Sequence, residues 1–457
     1  MSNHERNGDN DRKGTVSDSE GWIITGGRVI DRTGERMADV AVRPDGTIAA
    51  VGSDLDLAAL GLLDVPGLDA SGCIVAPGFV DIHTHLREPG REEAETVETG
   101  SRAAALGGYT AIVAMPNTEP TIDSVAVVRQ VLDAGVAAGL CDVRSSGSIT
   151  IGREGDALSP MAELAAAGVR IFTDDGCGVQ NDRLMRRALE YASGLPESVV
   201  LAQHCEVEAL SQGGHMHEGE WSSRLGIPGI PAEAEELMVF RDIALSRLTG
   251  MAVHFQHLST AGAVELVRDA KARGLNVTAE ATPHHFTLTH AEVASYDPVF
   301  KFNPPLRTAE DVAAVKAGLA DGTIDAIATD HAPHTADVKE APFDHAPCGM
   351  LGLETALGLG ITELVETGVL TMTEFMAKMS WNPAAIARIA DVHGRTIEPE
   401  APAHLVIFDP THEWTVDPAE MASKSNNTPY AGRVLRGKVR HTLLCGVPTV
   451  LDGEAQR

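Results

Sequence analysis

The chain has 457 residues, of which 36 are Lys or Arg and 65 are Asp or Glu, a formal charge of −29. That balance argues against a nucleic-acid backbone or an anionic membrane surface as partner, and no apolar run approaches the ~18 residues of a membrane span. Hydrophobic residues at 43% supply an ordinary globular core, and six scattered cysteines without CxxC spacing read as reduced thiols in a cytoplasmic protein rather than as a disulfide framework.

In chain order, residues 1–20 are polar and Gly/Asp/Asn-rich, without the hydrophobic stretch of a signal peptide, and are expected to form a disordered tail. From Gly21 come short β-like runs (WIITGGRVI, ADVAVRPDGTIAAVG, GCIVAPG) separated by turn residues. The same texture returns in AHLVIFDP and RVLRGKVRHTLLCGVPTVLDG, so residues 21–74 and 400–457 are expected to build one small β-sandwich domain from both chain ends. Between them, strand candidates at 74–86, 109–117, 143–150, 169–175, 198–206, 252–259, 275–285 and 325–333 alternate with Ala-rich helical segments. Asp123 is the expected cap of a helix through Val125, Val128 and Leu132, Pro160 opens another that Gly168 closes, and Gly274 ends a third running from Ala263. Eight such units over 75–399 predict an α/β fold of the (β/α)8 TIM-barrel type. A doubly wound open sheet is the competing arrangement, but no GxGxxG phosphate loop follows the first strand.

Ionisable residues recur where these strands end. His83 and His85 are two apart, so on a strand both imidazoles share a face. Alone, an HxH pair is more often two solvated or core-satisfied histidines than a functional pair. Here Asp174-Asp175, His204, His254 or His257, and Asp330 stand at four other strand ends, on the rim where a barrel builds its active site. Imidazole and carboxylate without thiolate suit Zn²⁺ or a similar divalent ion with open coordination positions. Spacing does not choose between Asp174 and Asp175, which face opposite ways on a strand, nor between His254 and His257. His215 and His217 repeat the HxH spacing in a Gly-rich connection and are expected to be solvated.

The segments PGFVDIHTHLREPG, AMPNT, FTDDGCGVQ, QHCE, FQHLST, FNPPLR, ATDHAPH, GLETAL and SKSNNTPYAGRVLRG run in order along residues 21–450. In them the chain resembles the bacterial class I dihydroorotases of the amidohydrolase superfamily. The resemblance implies a first metal on His83, His85, Asp175 and Asp330, and a second on Asp175, His204 and His257, hence one or two Zn²⁺ per subunit. It selects Asp175 and His257 from their pairs, and it adds Arg87, Asn117, Asn303 and His334 as substrate contacts. The implied reaction is the reversible cyclisation of N-carbamoyl-L-aspartate to L-dihydroorotate in pyrimidine (UMP) biosynthesis. Metal-activated hydroxide opens the ring amide, and Asp330 acts as general base and then acid.

Arg87 can grip the substrate carboxylate with two parallel N–H bonds. Glu88 stands where the family segment has Asp, which makes the local hydrogen bonding there a departure. Residues 335–349, rich in Pro, Gly and polar side chains, are expected to close over the substrate. Hydantoinases and many other relatives bridge their metals with a carbamylated lysine, and no lysine lies between Lys13 and Lys271, so that bridge is excluded here. An allantoinase or hydantoinase is therefore the weaker alternative. A non-catalytic scaffold for aspartate carbamoyltransferase is a second, opposed by retention of all six candidate ligands. Partners expected from the resemblance are a second copy of the chain and aspartate carbamoyltransferase.

Overall fold

The computed structural model describes residues 20–457, so the expected tail, but for Glu20, lies outside the described residues. Eight parallel strands organise the middle of the chain: β1 (Phe79–Thr84), β2 (Tyr109–Ala114), β3 (Asp142–Ser145), β4 (Ile171–Phe172), β5 (Val200–Gln203), β6 (Val253–Phe255), β7 (Val277–Ala281) and β8 (Ala326–Ile327). Parallel pairing joins β1 to β2 to β3, and β4 through β5, β6 and β7 to β8. Single parallel bridges span the two seams, Gly147 to Phe172 and Thr84 to His331. All eight expected strands are present, most of them shorter than their apolar runs.

Those runs are continuous because both faces of each strand are buried. Val80, Ile82, Ala111, Val113, Ile171, Val200, Ala202 and Ala326 meet in one apolar cluster. Their neighbours Phe79, Ile112, Phe172, Leu201, Phe255 and Ala279 belong to another, shared with the helices. Helices after β1 to β7 include α1 (Val97–Leu106), α2 (Val125–Ala138), α3 (Met161–Ala166), α4 (Asp182–Ser193), α5 (Glu233–Thr249), α6 (Ala261–Ala272) and α7 (Ala309–Asp321). The expected stops hold: Gly168 and Gly274 follow α3 and α6 at φ 110° and 72°. The expected cap of α2 does not. Ser124 occupies the N-cap position and makes no side-chain cap bond, while the Asp123 carboxylate accepts from Gly152 N–H at 2.9 Å.

The chain ends form two further sheets. Trp22–Thr25, Asp39–Val42, Ile48–Gly52 and Gly67–Asp69 make a four-stranded sheet, and a seven-stranded one joins Arg28–Asp31 and Gly34–Met37 to Ile74–Pro77, Leu405–Thr415, Val434–Leu444, Val447–Leu451 and Glu454–Ala455. One apolar cluster draws on both, with Ile24, Val40 and Val42 meeting Val75, Leu405, Ile407 and Leu443. The strand expected over 74–86 is thus two strands in different sheets: Ile74–Pro77 pairs with Leu405–Phe408, and β1 pairs with β2. They part at Gly78, where a Cβ would stand 2.2 Å from Thr110 Cγ2, so only glycine lets the chain cross so close to β2.

Candidate metal centre and active site

The rim is built from residues that directly follow buried strands. On β1, Asp81 lies in the body of the strand and is fully buried. Its Oδ1 accepts from His83 N–H (3.2 Å) and Thr329 N–H (3.0 Å), and its Oδ2 from the hydroxyls of Thr84 and Thr329. This carboxylate ties the end of β1, which carries His83, to the segment after β8, which carries Asp330. In the sequence the one signal for this role is a carboxylate set directly between Val80 and Ile82.

His83 and His85 project to one point. His83 Nδ1–H donates to Glu280 Oε1 at 2.7 Å, and His85 Nδ1–H donates to Asn117 Oδ1 at 2.8 Å. In its neutral form each ring therefore turns Nε2 inward as the nitrogen able to ligate a metal. His83 Nε2 is 3.2 Å from Asp175 Oδ1 and 3.5 Å from Asp330 Oδ1, buried and without a hydrogen-bond partner. His85 Nε2 is 3.0 Å from Asp330 Oδ1 and 3.5 Å from Asp175 Oδ2. Lone pairs facing anionic oxygens at these distances call for a cation between them.

The charges agree. Burial alone would push the His83 imidazole down, but Asp175, Asp330 and Glu280 hold it well above its ordinary range. Surroundings that favour a proton there favour a divalent ion equally. Burial raises the carboxyls of Asp175 and Asp330, yet the neighbouring histidines, His83 foremost, keep both below the usual carboxylate range.

Among the described residues two buried groups can hold a metal ion: His83, His85 and Asp175, and Asp175, His204 and His257. Asp175 is common to both, with its Oδ1 3.8 Å from both His204 Nδ1 and His257 Nε2. These two ring nitrogens lie 2.8 Å apart. Burial holds His204 down at about 4, so it is neutral near pH 7 and able to ligate. Asp174 faces the other way. Its carboxylate accepts from Ile149 N–H (2.8 Å), Thr150 N–H (3.0 Å) and the Thr150 hydroxyl, fastening the loop after β3. His254 lies on β6 between Thr278 Oγ1 (2.9 Å) and Glu280 Oε2 (3.0 Å), whereas His257 follows the strand at φ 32° and turns to the cavity.

A cavity of ≈ 240 Å³ opens above these atoms, and every expected site residue except His83, which lies beneath, lines it. Arg87, at φ 62°, donates from Nε to the Pro333 carbonyl at 3.1 Å. Burial and then Arg91 lower its guanidinium only to about 10, so it stays charged. His334 Nε2–H donates to the Cys348 carbonyl at 2.7 Å, and burial, then Arg87, pushes its imidazole down to about 2. Asn117, with its oxygen committed to His85, has its amide N–H groups left for a ligand. Asn303 presents Nδ2 to His204 Nε2 at 3.3 Å while its Oδ1 is buried and unpartnered. A half-turn of that amide would let Oδ1 accept from His204 Nε2–H and free Nδ1 toward Asp175.

The 335–349 segment lies across one side of the cavity, contributing Cys348 and Gly349. It is stapled in place: Lys339 Nζ donates to the carbonyls of Pro298 (2.7 Å), Pro347 (3.0 Å) and Gly349 (3.1 Å). Asn427, in the far tail segment, donates to Ala332 and Gly349 carbonyls and accepts from His334 N–H. The Asn427 contacts span 78–95 residues of chain, a separation that no local pattern in the sequence marks. The histidine pair of the Gly-rich connection is not wholly solvated either: His217 is buried, with Nδ1 3.2 Å from Arg307 Nη1.

Residues 72–263 match the family model described as Dihydro-orotase-like. The chain is 50% identical over 431 residues to the dihydroorotase of Pelotomaculum thermopropionicum, covering 94% of this chain and 98% of that protein. It is 49% identical over 423 residues to the dihydroorotase of Mycobacterium tuberculosis, covering 92% and 96%. Among solved structures it resembles the L-hydantoinase of Arthrobacter aurescens (TM-score 0.84, 24% identity, 95% of this chain and 97% of that one) and the dihydropyrimidinase of Brevibacillus agri (0.80, 23%, 95% and 96%). At that identity the structural likeness speaks for the fold, while the curated relatives, matched over nearly their whole length, speak for the family. The chain belongs to the dihydroorotase family.

Proposed function

We propose that the protein is a zinc-dependent dihydroorotase, interconverting N-carbamoyl-L-aspartate and L-dihydroorotate plus water in pyrimidine biosynthesis. The observation that carries this is the pair of inward Nε2 lone pairs on His83 and His85 facing the carboxylates of Asp175 and Asp330, beneath a cavity edged by Arg87. His83, His85, Asp175 and Asp330 would hold one Zn²⁺, and Asp175, His204 and His257 a second. When bound, such an ion supplies Lewis acidity, acidifying water and polarising the amide carbonyl.

The chain's own residues do the rest. Arg87 fixes the substrate carboxylate, with the amide N–H groups of Asn117 beside it. Asn303 and His334 close the polar wall of the cavity. Asp330 Oδ1 takes the proton of the attacking water and delivers it to the leaving ring nitrogen. In the biosynthetic direction the same oxygen removes a proton from the carbamoyl nitrogen as water departs. Asp175 supplies the anionic bridge that a modified lysine gives elsewhere, which favours a dihydroorotase over a hydantoinase.

The same proposal takes the eight parallel strands as a closed (β/α)8 barrel over 75–399, with the chain ends (21–74 and 400–457) as a composite β-sandwich; pairing of Ile74–Pro77 carries that unit a few residues further. No helix among the described residues is long and apolar enough to cross a membrane. The cytoplasmic location rests on the scattered cysteines read as reduced thiols, and self-association and association with aspartate carbamoyltransferase rest on the resemblance. Metal content of the purified protein, measured alongside turnover of dihydroorotate, hydantoin and allantoin, tests the reading. Bound zinc with dihydroorotate strongly preferred is expected. Substoichiometric metal with no activity restored by zinc would overturn it, and a preference for hydantoin or allantoin would replace the substrate.

A further inference from the structure

Glu280 touches both sides of the candidate centre, through His83 and His257, and the proposed reaction leaves it idle. It stands on β7, nearly fully buried, in a strand otherwise made of small or apolar residues. Its Oε1 accepts from His83 Nδ1–H at 2.7 Å and from His257 N–H at 3.3 Å, and its Oε2 accepts from His254 Nε2–H at 3.0 Å. His254 is braced in turn, its Nδ1 accepting from the Thr278 hydroxyl at 2.9 Å. Every donor that reaches Glu280 is an N–H, so only a carboxylate accepts on both oxygens.

We infer that Glu280, held by His254, is the positioning residue that fixes His83 with its proton on Nδ1 and its Nε2 lone pair aimed between Asp175 and Asp330. The inference rests on the metal-site reading above. Its logic is tautomeric. A neutral imidazole carries one proton, and the acceptor against one nitrogen decides which nitrogen is free to ligate. Gln256 Nε2 lies 3.3 Å from the same His83 Nδ1 and offers a donor there. Without Glu280 that amide would draw the Nδ1 lone pair and send the proton to Nε2, where it would block the ligand position. The arrangement also accounts for His254, whose spacing from His257 makes it a rival ligand in sequence. It serves the centre one bond further out. Because the same Oε1 takes the backbone N–H of His257, one carboxylate registers a ligand of each candidate ion.

The test is zinc affinity of the full chain, by competition with a chelator of known strength, for the wild type, Glu280→Gln, His83→Asn and the double variant. Glu280→Gln keeps the shape but puts a donor against one of the N–H groups. Zinc binding about 10–100-fold weaker than wild type is expected, with only a small further loss when Glu280→Gln is added to His83→Asn, since most of the effect passes through that ring and the remainder through the His257 N–H. Unchanged affinity in Glu280→Gln, or full additivity in the double variant, would overturn the inference. A Glu280→Gln chain that failed to fold would leave the wild type to decide. In zinc-loaded wild type, ¹⁵N-histidine spectra should show the His83 proton on Nδ1, with that resonance lost in His83→Asn. A proton on Nε2 would overturn the assignment. Wild-type protein that takes up no zinc would instead bring down the metal-site reading beneath it.

Discussion

At Asp330 and His257 the backbone takes φ values of 48° and 32°, in a region that costs a non-glycine residue about 1–3 kcal/mol. Both residues come just after a buried strand, and the turn swings a side chain that would have continued the strand's alternation into the cavity. For Asp330 the return is a base within 3.0 Å of His85 Nε2, kept ionised by its histidine neighbours against the pull of burial. Asp330→Asn is expected to lower kcat by about 10²–10⁴-fold, the usual weight of a general acid–base group. KM should change less, and steady-state kinetics on zinc-assayed protein, with near-normal turnover as the contrary result, checks it. The neighbouring pair of acids separates chemistry from structure. Asp175→Asn should abolish zinc uptake with little loss of stability. Asp174→Asn should keep zinc but lose about 1–3 kcal/mol, because an amide cannot accept from both Thr150 and the backbone N–H groups it now serves. Denaturant titration beside metal analysis reads both. These choices were not legible in spacing, since strand alternation treats adjacent residues as equivalents and stops where the strand stops. Asp174 against Asp175 and His254 against His257 are settled by turns that only the folded chain shows.

The elements were legible for a physical reason: a strand buried on both faces writes a continuous apolar run, as in β1, β2 and β5, and such runs survive without knowledge of pairing. Their ends were not, because the last residues of each run, such as Cys205 and Glu206 after β5, leave the ladder to build the rim. The run over 74–86 misled most, since apolar character continues through Gly78 while the chain changes sheets. That crossing is testable. Gly78→Ala should destabilise by about 1–3 kcal/mol, the usual cost of overpacking, since the new methyl would meet Thr110 at 2.2 Å. Adding Thr110→Ala should recover part of the loss by removing the atoms met. Equal stability of wild type and Gly78→Ala in urea would show that β1 and β2 spread apart more easily than their packing implies. Helix caps followed local chemistry unevenly. Thr308 and Asp311 form a reciprocal capping box at the start of α7, whereas Asp123, the apparent cap of α2, is spent on Gly152. A side chain of capping type finds whichever orphan N–H is nearest in space.

Over the whole molecule, a charge of −29 surrounds a cavity whose proposed ligand is anionic. Bound divalent ions and Arg87 make the cavity locally attractive, so the repulsion is long-range and falls off over ~8–10 Å at physiological salt. Raising ionic strength from very low values is therefore expected to increase kcat/KM for N-carbamoyl-L-aspartate while leaving kcat nearly unchanged; a monotonic fall would show that local attraction dominates the approach.

The buried histidines set a second global property. Burial lowers His204 and His217 to about 4 and His284 to about 3, and carries His285 and His404 well below 6.5. In the unfolded chain each takes up its proton near pH 6.5, but in the folded protein only far below it. Between those values the unfolded state binds more protons, so acidification favours unfolding. His83 runs the other way, since a folded value above 6.5 lends stability that is complete below 6.5 and lost as pH rises through that value. That one ring is opposed by the five above and by His85 and His334, which are lowered as well. Half-buried carboxylates such as Asp142, held down by His393 and Arg144 against the effect of burial, add their loss only below about pH 4. The Tm of the metal-free protein is thus expected to fall continuously from pH 6.5 to 4.5. Zinc should steepen that fall, because neutral His83 and His204 are what the ion binds and protons compete for both. Scanning calorimetry at constant ionic strength, with and without zinc, measures the two slopes; a Tm flat across that window would mean the buried imidazoles take up protons without opening the fold.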